Sequence, residues 1–482
     1  MSRTDGTYMR ASDAFAWYME RDPALRSTVV GVFWLDRAPD WDRFVDRIDR
    51  MSRTMLSLRQ RVVESPWRLA TPRLIYDDHF DLKWHLRRVN APEPRTRDAV
   101  LELARLAAMD TFDRERPLWE FTLVEGMKGN EAAVVVKIHH SLSDGVGWMQ
   151  MKGVLFDMER QPGDLGPMPP APPGETFSRQ ALITAAVGSM FGRVAHRGRL
   201  GVEAAIPTLA RTARDPIGTV RGAAAMARSA YRFAAPVSDT MSPVMRERAM
   251  VRRLATMEIP LNDLKRAAES VDATVNDAYL AAVTGGLRRY HLRHDSTVES
   301  LRVTIPINIR TKADDWTFGN RITLRRVTVP VGESNPANRM RMVHRVAESA
   351  RDEPSNPITD TIAEGLNLLP VGYVGGMLKH VDFVASNVPG SPVPIYLAGG
   401  EVTGFFAFGP TIGASFNITL ISHAGSCDIG INIDTCAVPD SDVLLDCLRE
   451  GFDEISAVGI DDKLNGDHPR TTRPRARPKP ST

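Results

Sequence analysis

A chain of 482 residues exceeds what one hydrophobic core usually serves, so two domains are expected. A formal net charge of +2 gives no global reason to bind nucleic acid, and a 43% hydrophobic content is that of an ordinary globular protein. Three dispersed cysteines, Cys427, Cys436 and Cys447, exclude a disulfide framework and a clustered zinc site; reduced thiols in a cytoplasmic setting are expected. Residues 1–10 lack the apolar centre of a signal peptide, and no apolar run reaches the ~18 residues of a spanning helix, so any membrane contact is expected to be peripheral.

In chain order, residues 27–35 are rich in β-branched and aromatic side chains and read as a strand. Residues 41–55 have helical spacing with Arg and Asp outward, and 97–109 read as a second helix. Residues 121–125 and 132–138 read as paired strands joined around Gly126 to Asn130. The mixed order predicts an α/β layer domain over 1–160. Pro167, Pro169, Pro170, Pro172 and Pro173 then break the pattern, as no regular element survives that density of proline. Residues 177–235 read as Ala-rich helices with arginines such as Arg193, Arg211 and Arg228 on an outer face. Such a face can lie on an anionic membrane or simply be the solvated side of a connector. From about residue 250 the α/β pattern resumes: helices over 261–270 and 275–291, and strands over 301–309, 322–331, 405–409, 416–422 and 428–435. The last two form a hairpin around Ala424-Gly425-Ser426, and a helix over 442–455 closes the domain. The division expected is an N-terminal domain (1–160), a Pro-rich linker and basic helical crossover (161–245), a C-terminal domain (246–464) and a disordered basic tail (465–482).

The segment His139-His140-Ser141-Leu142-Ser143-Asp144-Gly145 ends the apolar strand over 132–138. Side chains alternate along a strand, so His140 shares a face with Val134, Val136 and Ile138, and His139 with Val135 and Lys137. The more apolar face is expected to point inward, where burial keeps an imidazole neutral and able to accept a proton. His140 is therefore the candidate general base toward an alcohol, amine or thiol, with His139 structural. A satisfied core histidine is the ordinary role of a lone histidine. Asp144 is expected to brace the turn by pairing with an arginine, Arg310 and Arg116 being candidates, and Gly145 lets backbone or ligand approach closely. No metal is expected, because the segment lacks a further ligand set and does not match the helical His-Glu-x-x-His pattern.

Thr274-Val275-Asn276-Asp277 is a capping-box pattern with Asp in place of Glu, which by itself can account for Asp277. Asn276 falls in the first helical turn, where an amide and the helix dipole favour a developing oxyanion. Ser386-Asn387-Val388-Pro389-Gly390 reads as a polar turn after a strand over 381–385, and Pro117-Leu118-Trp119 as an apolar anchor before a strand.

Taken in order, Pro117-Leu118-Trp119, His139 to Gly145, Asn276-Asp277, Gly319-Asn320 and Ser386 to Gly390 resemble the bacterial bifunctional wax ester synthase/diacylglycerol acyltransferase family, over roughly residues 8–460. The His-x-x-x-Asp-Gly core is shared with the wider CoA-dependent acyltransferase superfamily; the other segments narrow it. The resemblance implies two chloramphenicol-acetyltransferase-like α/β domains, mixed sheets with packed helices, and an active-site tunnel between them. It implies transfer of a fatty acyl group from acyl-CoA to diacylglycerol or a long-chain alcohol, with acyl-CoA as co-substrate and no resident cofactor. His140 matches the family's base, His139, Asp144 and Gly145 the rest of that motif, and Asn276 and Asp277 the Asn-Asp pair at the tunnel. The implied location is cytoplasmic, with peripheral contact to the inner membrane face or lipid droplets. Two features depart from the commonest pattern: Ser391 stands where proline is frequent, and the 161–245 crossover is long and basic. The competing readings are a condensation-type acyltransferase using a carrier-bound thioester, and an inactive lipid-binding protein.

Overall fold

The computed structural model describes residues 7–68, 70–142, 152–176, 180–184, 187–188, 228, 237, 239–308, 322–352, 367 and 371–460. The expected helices over 177–235 lie largely outside these residues, as do Gly319-Asn320 and the 465–482 tail.

The first half contains β1 (Thr7–Tyr8), α1 (Ala11–Met19), β2 (Thr28–Leu35), α2 (Trp41–Thr54), β3 (Gln60–Val63), β4 (Arg73–Tyr76), β5 (Leu86–Asn90), α3 (Arg97–Met109), β6 (Trp119–Glu125) and β7 (Ala132–His139). Side-chain caps set the helix starts: Asp40 accepts from the Arg43 N–H at 2.9 Å, and the Thr96 hydroxyl from Ala99. β7 is central in its sheet and every one of its residues is buried, which its unbroken apolar run encodes. Val134, Val136 and Ile138 pack with Phe33, Phe44 and Trp119, while Val135 packs with Val30, Val32 and Trp34 over Val100 and Ala104 of α3. Each such aliphatic side chain contributes about 1.5–3 kcal/mol through burial.

The second half contains β8 (Arg252–Pro260), α4 (Leu261–Glu269), α5 (Val275–Leu292), β9 (Ser300–Asn308), β10 (Ile322–Pro330), α6 (Pro336–Arg351), α7 (Val371–Leu378), β11 (Phe383–Val388), β12 (Tyr396–Leu397), β13 (Gly400–Phe408), β14 (Phe416–His423), β15 (Ser426–Asp434) and α8 (Ser441–Ala457). Its sheet runs β10-β9-β11-β14-β15-β8, with β11 parallel to both neighbours and the other pairs antiparallel. Alternate residues Phe416, Ile418 and Leu420, with Ile429, Ile431 and Ile433, pack in one core with α5 and α8. Those two helices come very close: a Cβ on Gly451 would lie 2.3 Å from the Ala282 carbonyl.

The second half lends two strands to the first sheet. The first sheet runs β12-β13-β2-β7-β6-β5, so β13 pairs antiparallel with β2, Phe408 opposite Val30. A division at residue 246 assigns β12 and β13 to the C-terminal half; in space they extend the N-terminal sheet. β13 also lies across the second sheet. The Phe405 N–H donates to Asp428 at 2.8 Å, and a Cβ on Gly430 would meet the Ala407 carbonyl at 2.2 Å. On the other side of the contact, Leu254 of β8 packs in the α3 core.

Three differences from the sequence reading have physical causes. Ser386-Asn387-Val388 is not a turn but the end of β11, paired in register with Thr419, Leu420 and Ile421; only Pro389-Gly390 leaves the strand. The proline-rich 161–174 stretch is irregular, as expected, yet it is strapped to α2: Arg50 donates to the carbonyls of Leu165, Gly166 and Pro167, and Arg53 to that of Pro169. Helix α6 was not expected, although Asn335 caps it by accepting from the Asn338 N–H and Pro336 opens it. Among the described residues no helix is long and apolar enough to cross a membrane.

Candidate active site

His139 is the last residue of β7 and His140 the first beyond it. The register places Thr28 opposite His139, and the His140 N–H donates to the Ser27 carbonyl at 2.9 Å, so β2 fixes the backbone of both. The side chains differ in the opposite sense to the expected one. His139 is 1% exposed and His140 is half-buried. The reason is that β7 is covered on both faces, so the Lys137–His139 face is as enclosed as the Val134–Ile138 face.

The ring of His139 is held from several sides. Its Nδ1 accepts from the Ser141 N–H at 3.1 Å and lies 2.7 Å from Ser141 Oγ. An Nδ1 that accepts from a backbone amide leaves the neutral ring's proton on Nε2. Nε2 faces Glu20 Oε1 at 3.2 Å, a close charge contact rather than a well-aligned hydrogen bond. Trp17 and Phe112 stand edge-on to the ring with centroids at 6.0 and 6.2 Å. These contacts hold the His139 ring at both of its nitrogens. The Leu142 N–H returns to the His139 carbonyl at 3.0 Å, closing the turn that leads on. Asp144 and Gly145 lie outside the described residues, as does Arg310. The other candidate partner, Arg116, stands 3.6 Å from Asp113 and stacks over Trp84 at 4.3 Å.

Pro117-Leu118-Trp119 proves to be a direct neighbour of the histidines. The His139 N–H donates to the Leu118 carbonyl at 3.0 Å, and Trp119 pairs with Ile138 across the sheet. Trp119 is fully buried, donates to the Leu58 carbonyl at 2.7 Å and stacks on His85 at 4.3 Å. His85 Nδ1 donates in turn to the Trp119 carbonyl at 2.7 Å, and burial pushes its pKa down to about 4.

Asn276 and Asp277 open α5. The capping box is complete: the Thr274 N–H and hydroxyl donate to Asp277 Oδ2 at 2.8 and 2.7 Å, and the Asp277 N–H to Thr274 Oγ1 at 3.3 Å. Asp277 is fully buried, and its Oδ2 also accepts from Nδ1 of His344 on α6 at 2.8 Å. That hydrogen bond raises the His344 pKa; partial desolvation opposes it, and the Asp277 and Glu348 charges reinforce it. The half-buried Asn276 does something else: its Oδ1 accepts from Asn387 Nδ2 at 3.4 Å. With Oδ1 turned to Asn387, the Asn276 NH2 points the other way, as a donor. The fold thus joins Asn276-Asp277 to Ser386-Asn387, two segments that the sequence leaves far apart.

The second half also reaches the histidine end of β7. β13 ends at Phe408 opposite Val30, two residues along β2 from Thr28, the partner of His139. The loop that follows packs Ile412 against the core containing Ile138 and Leu142. Cys427 and Cys447 are buried, and burial pushes the Cys427 thiol up to about 12, far from a reactive thiolate. Two residues that the sequence reading did not single out, Glu20 and His344, contact the motif side chains. Neither carries a local signal, because each meets its partner only through tertiary packing.

A paired histidine ends the central strand of one of two mixed α/β sheets, the first of which takes in β12 and β13 from the second half. The same fold is seen in the wax ester synthase/diacylglycerol acyltransferase from Marinobacter aquaeolei VT8 (TM-score 0.60, 22% identity, covering 93% of this chain and 98% of that one). It is also seen in the first condensation domain of the calcium-dependent antibiotic synthetase (TM-score 0.63, 13% identity, 95% and 97% covered). Residues 9–279 match the wax ester synthase/diacylglycerol acyltransferase catalytic domain, and residues 318–456 the C-terminal domain of the same family. The chain belongs to the wax ester synthase/diacylglycerol acyltransferase family. It is 35% identical to a putative diacylglycerol O-acyltransferase of Mycobacterium tuberculosis H37Rv, covering 91% of this chain and 89% of that protein. A second putative diacylglycerol O-acyltransferase of that strain is 28% identical, covering 95% and 91%.

Proposed function

We propose that this protein transfers a fatty acyl group from acyl-CoA to the free hydroxyl of diacylglycerol, with long-chain alcohols as a second acceptor class. His140 takes the proton of the acceptor hydroxyl, whose oxygen attacks the thioester carbonyl. The Asn276 amide and the N-terminus of α5 stabilise the resulting oxyanion. Collapse of the tetrahedral intermediate expels the CoA thiolate, which takes the proton back from the His140 imidazolium. Acyl-CoA is a co-substrate, and no resident cofactor or metal enters the reaction. His139, Asp144 and Gly145 hold the loop, and Asp277 holds Asn276 through the helix cap. The reaction takes place in a tunnel between the two halves. The protein works in the cytoplasm, in peripheral contact with the inner membrane face or lipid droplets that hold its acceptor.

The observation that carries this reading is the placement of His140, half-buried just beyond β7 with its backbone pinned to Ser27, beside a His139 ring held by Ser141 and Glu20. The relatives' names supply the acceptor. A condensation-type reaction with a carrier-bound donor is the second reading, favoured only by the shared fold. Incubation of the purified protein with labelled palmitoyl-CoA and a panel of acceptors, read by thin-layer chromatography, separates the two. Labelled triacylglycerol from free acyl-CoA is expected. Product formed only from acyl-carrier protein would replace this reading with the second.

A further inference from the structure

We propose that Glu20 is a positioning residue for the acyl transfer, one carboxylate oxygen that sets both the ring of His139 and the backbone that carries His140. The proposal rests on the reading of His140 as the base. Glu20 follows the last residue of α1, and its Oε1 accepts from the Ser27 N–H at 2.5 Å. The same oxygen faces His139 Nε2 at 3.2 Å. Ser27 in turn accepts the His140 N–H at 2.9 Å through its carbonyl. One residue, Ser27, therefore links the carboxylate to the His140 backbone, while the His139 ring links it to Ser141 and to the turn beyond.

The geometry has a chemical consequence. A carboxylate oxygen at Nε2 favours the tautomer with its proton there, which is the tautomer that lets Nδ1 accept the Ser141 N–H. If Glu20 is lost, the proton can move to Nδ1, where it opposes the Ser141 amide, and the turn after His140 loosens. The effect falls on the placement of the base, not on its proton affinity. Burial works against a charged Glu20, yet the close contact with His139 Nε2, the Ser27 N–H and Arg26 outweigh it and hold the carboxyl below its usual range. The carboxylate is thus charged at neutral pH. Beside it opens a cavity of about 120 Å3 lined by Trp17, Arg21, Phe112, Arg114 and His139. A small carboxylate can enter such a space and stand in for a truncated Glu20.

The test compares the purified full-length protein with Glu20→Ala, Glu20→Asp and His140→Ala, measuring kcat, KM for palmitoyl-CoA and melting temperature, with and without formate. Glu20→Ala is expected to lower kcat by about 10²-fold, the usual effect of a misplaced reacting group, with KM little changed. Formate restores part of that loss, and restores nothing to His140→Ala. Wild-type kcat in Glu20→Ala beside an inactive His140→Ala would overturn the positioning role and leave the base assignment standing. Activity retained in His140→Ala would instead overturn the base assignment. A loss in Glu20→Ala without formate rescue, matched by a fall in melting temperature, would make Glu20 a folding residue only. Should Glu20→Ala not fold, Glu20→Asp decides: its shorter reach cannot serve Ser27 and His139 together, so kcat falls at an unchanged melting temperature. Wild-type kcat in a folded Glu20→Asp would overturn the proposal.

Discussion

Asn387 Nδ2 donates to Asn276 Oδ1 at 3.4 Å, linking the end of β11 to the first turn of α5. The bond is long and weak by itself. Its value is orientation, since it turns the Asn276 NH2 away from β11 and makes that group the available donor.

Removing either amide is therefore expected to act through the same donor. Asn276→Ala lowers kcat by about 10²–10³-fold, the scale of a lost oxyanion donor. Asn387→Ala lowers it less, and the double variant is no worse than Asn276→Ala alone. Steady-state kinetics on the three variants check this; additive losses would show that the two amides act separately.

Arg339 is fully buried and ties three helices together. Its Nε donates to the Ala281 carbonyl at 2.9 Å, and its Nη2 to Glu454 at 2.7 Å. Arg339→Ala takes a donor from both acceptors, Glu454 keeping Arg289, and is expected to cost about 3 kcal/mol of stability. Urea unfolding of the variant measures this, with turnover per folded molecule unchanged.

His85 makes stability depend on pH. In the folded protein its pKa lies at about 4, below the usual histidine value near 6.5. Between those values the unfolded chain binds a proton that the folded protein refuses, so stability falls as pH drops through that window. The wild type is expected to lose about 3 kcal/mol from this group between pH 7 and pH 4. His85→Asn, which keeps a donor toward the Trp119 carbonyl, flattens the slope of melting temperature against pH; an unchanged slope would clear His85.

Gly430 lets β13 cross the second sheet, since a Cβ there would meet the Ala407 carbonyl at 2.2 Å. Gly430→Ala pushes β13 off and is expected to destabilise the protein by about 1–3 kcal/mol. Faster proteolysis at residues 396–408 would report it, and a wild-type digestion pattern would contradict it.

Much of this architecture was legible because it is written in local patterns. β7 appears as an apolar run, β14 and β15 as alternating strands around Ala424-Gly425, and the cap of α5 as Thr274 with Asp277. Ser386-Asn387-Val388 was misread because an asparagine beside Pro-Gly has turn propensity, and parallel pairing with β14 overrides it. The placement of β13 was not legible: its alternation predicts a strand, but no local signal says which sheet receives it. The two histidines could be told apart by parity, but not which is the more buried, because that depends on what covers each face. Glu20 and His344 meet the motif residues only through the packing of α1 and α6.

The most direct test of the central claim is the turnover of purified His140→Ala with palmitoyl-CoA and diacylglycerol, beside His139→Ala as a control for folding. Loss of the general base is expected to lower kcat by about 10²–10⁴-fold at an unchanged melting temperature. Wild-type kcat in a folded His140→Ala would contradict the account.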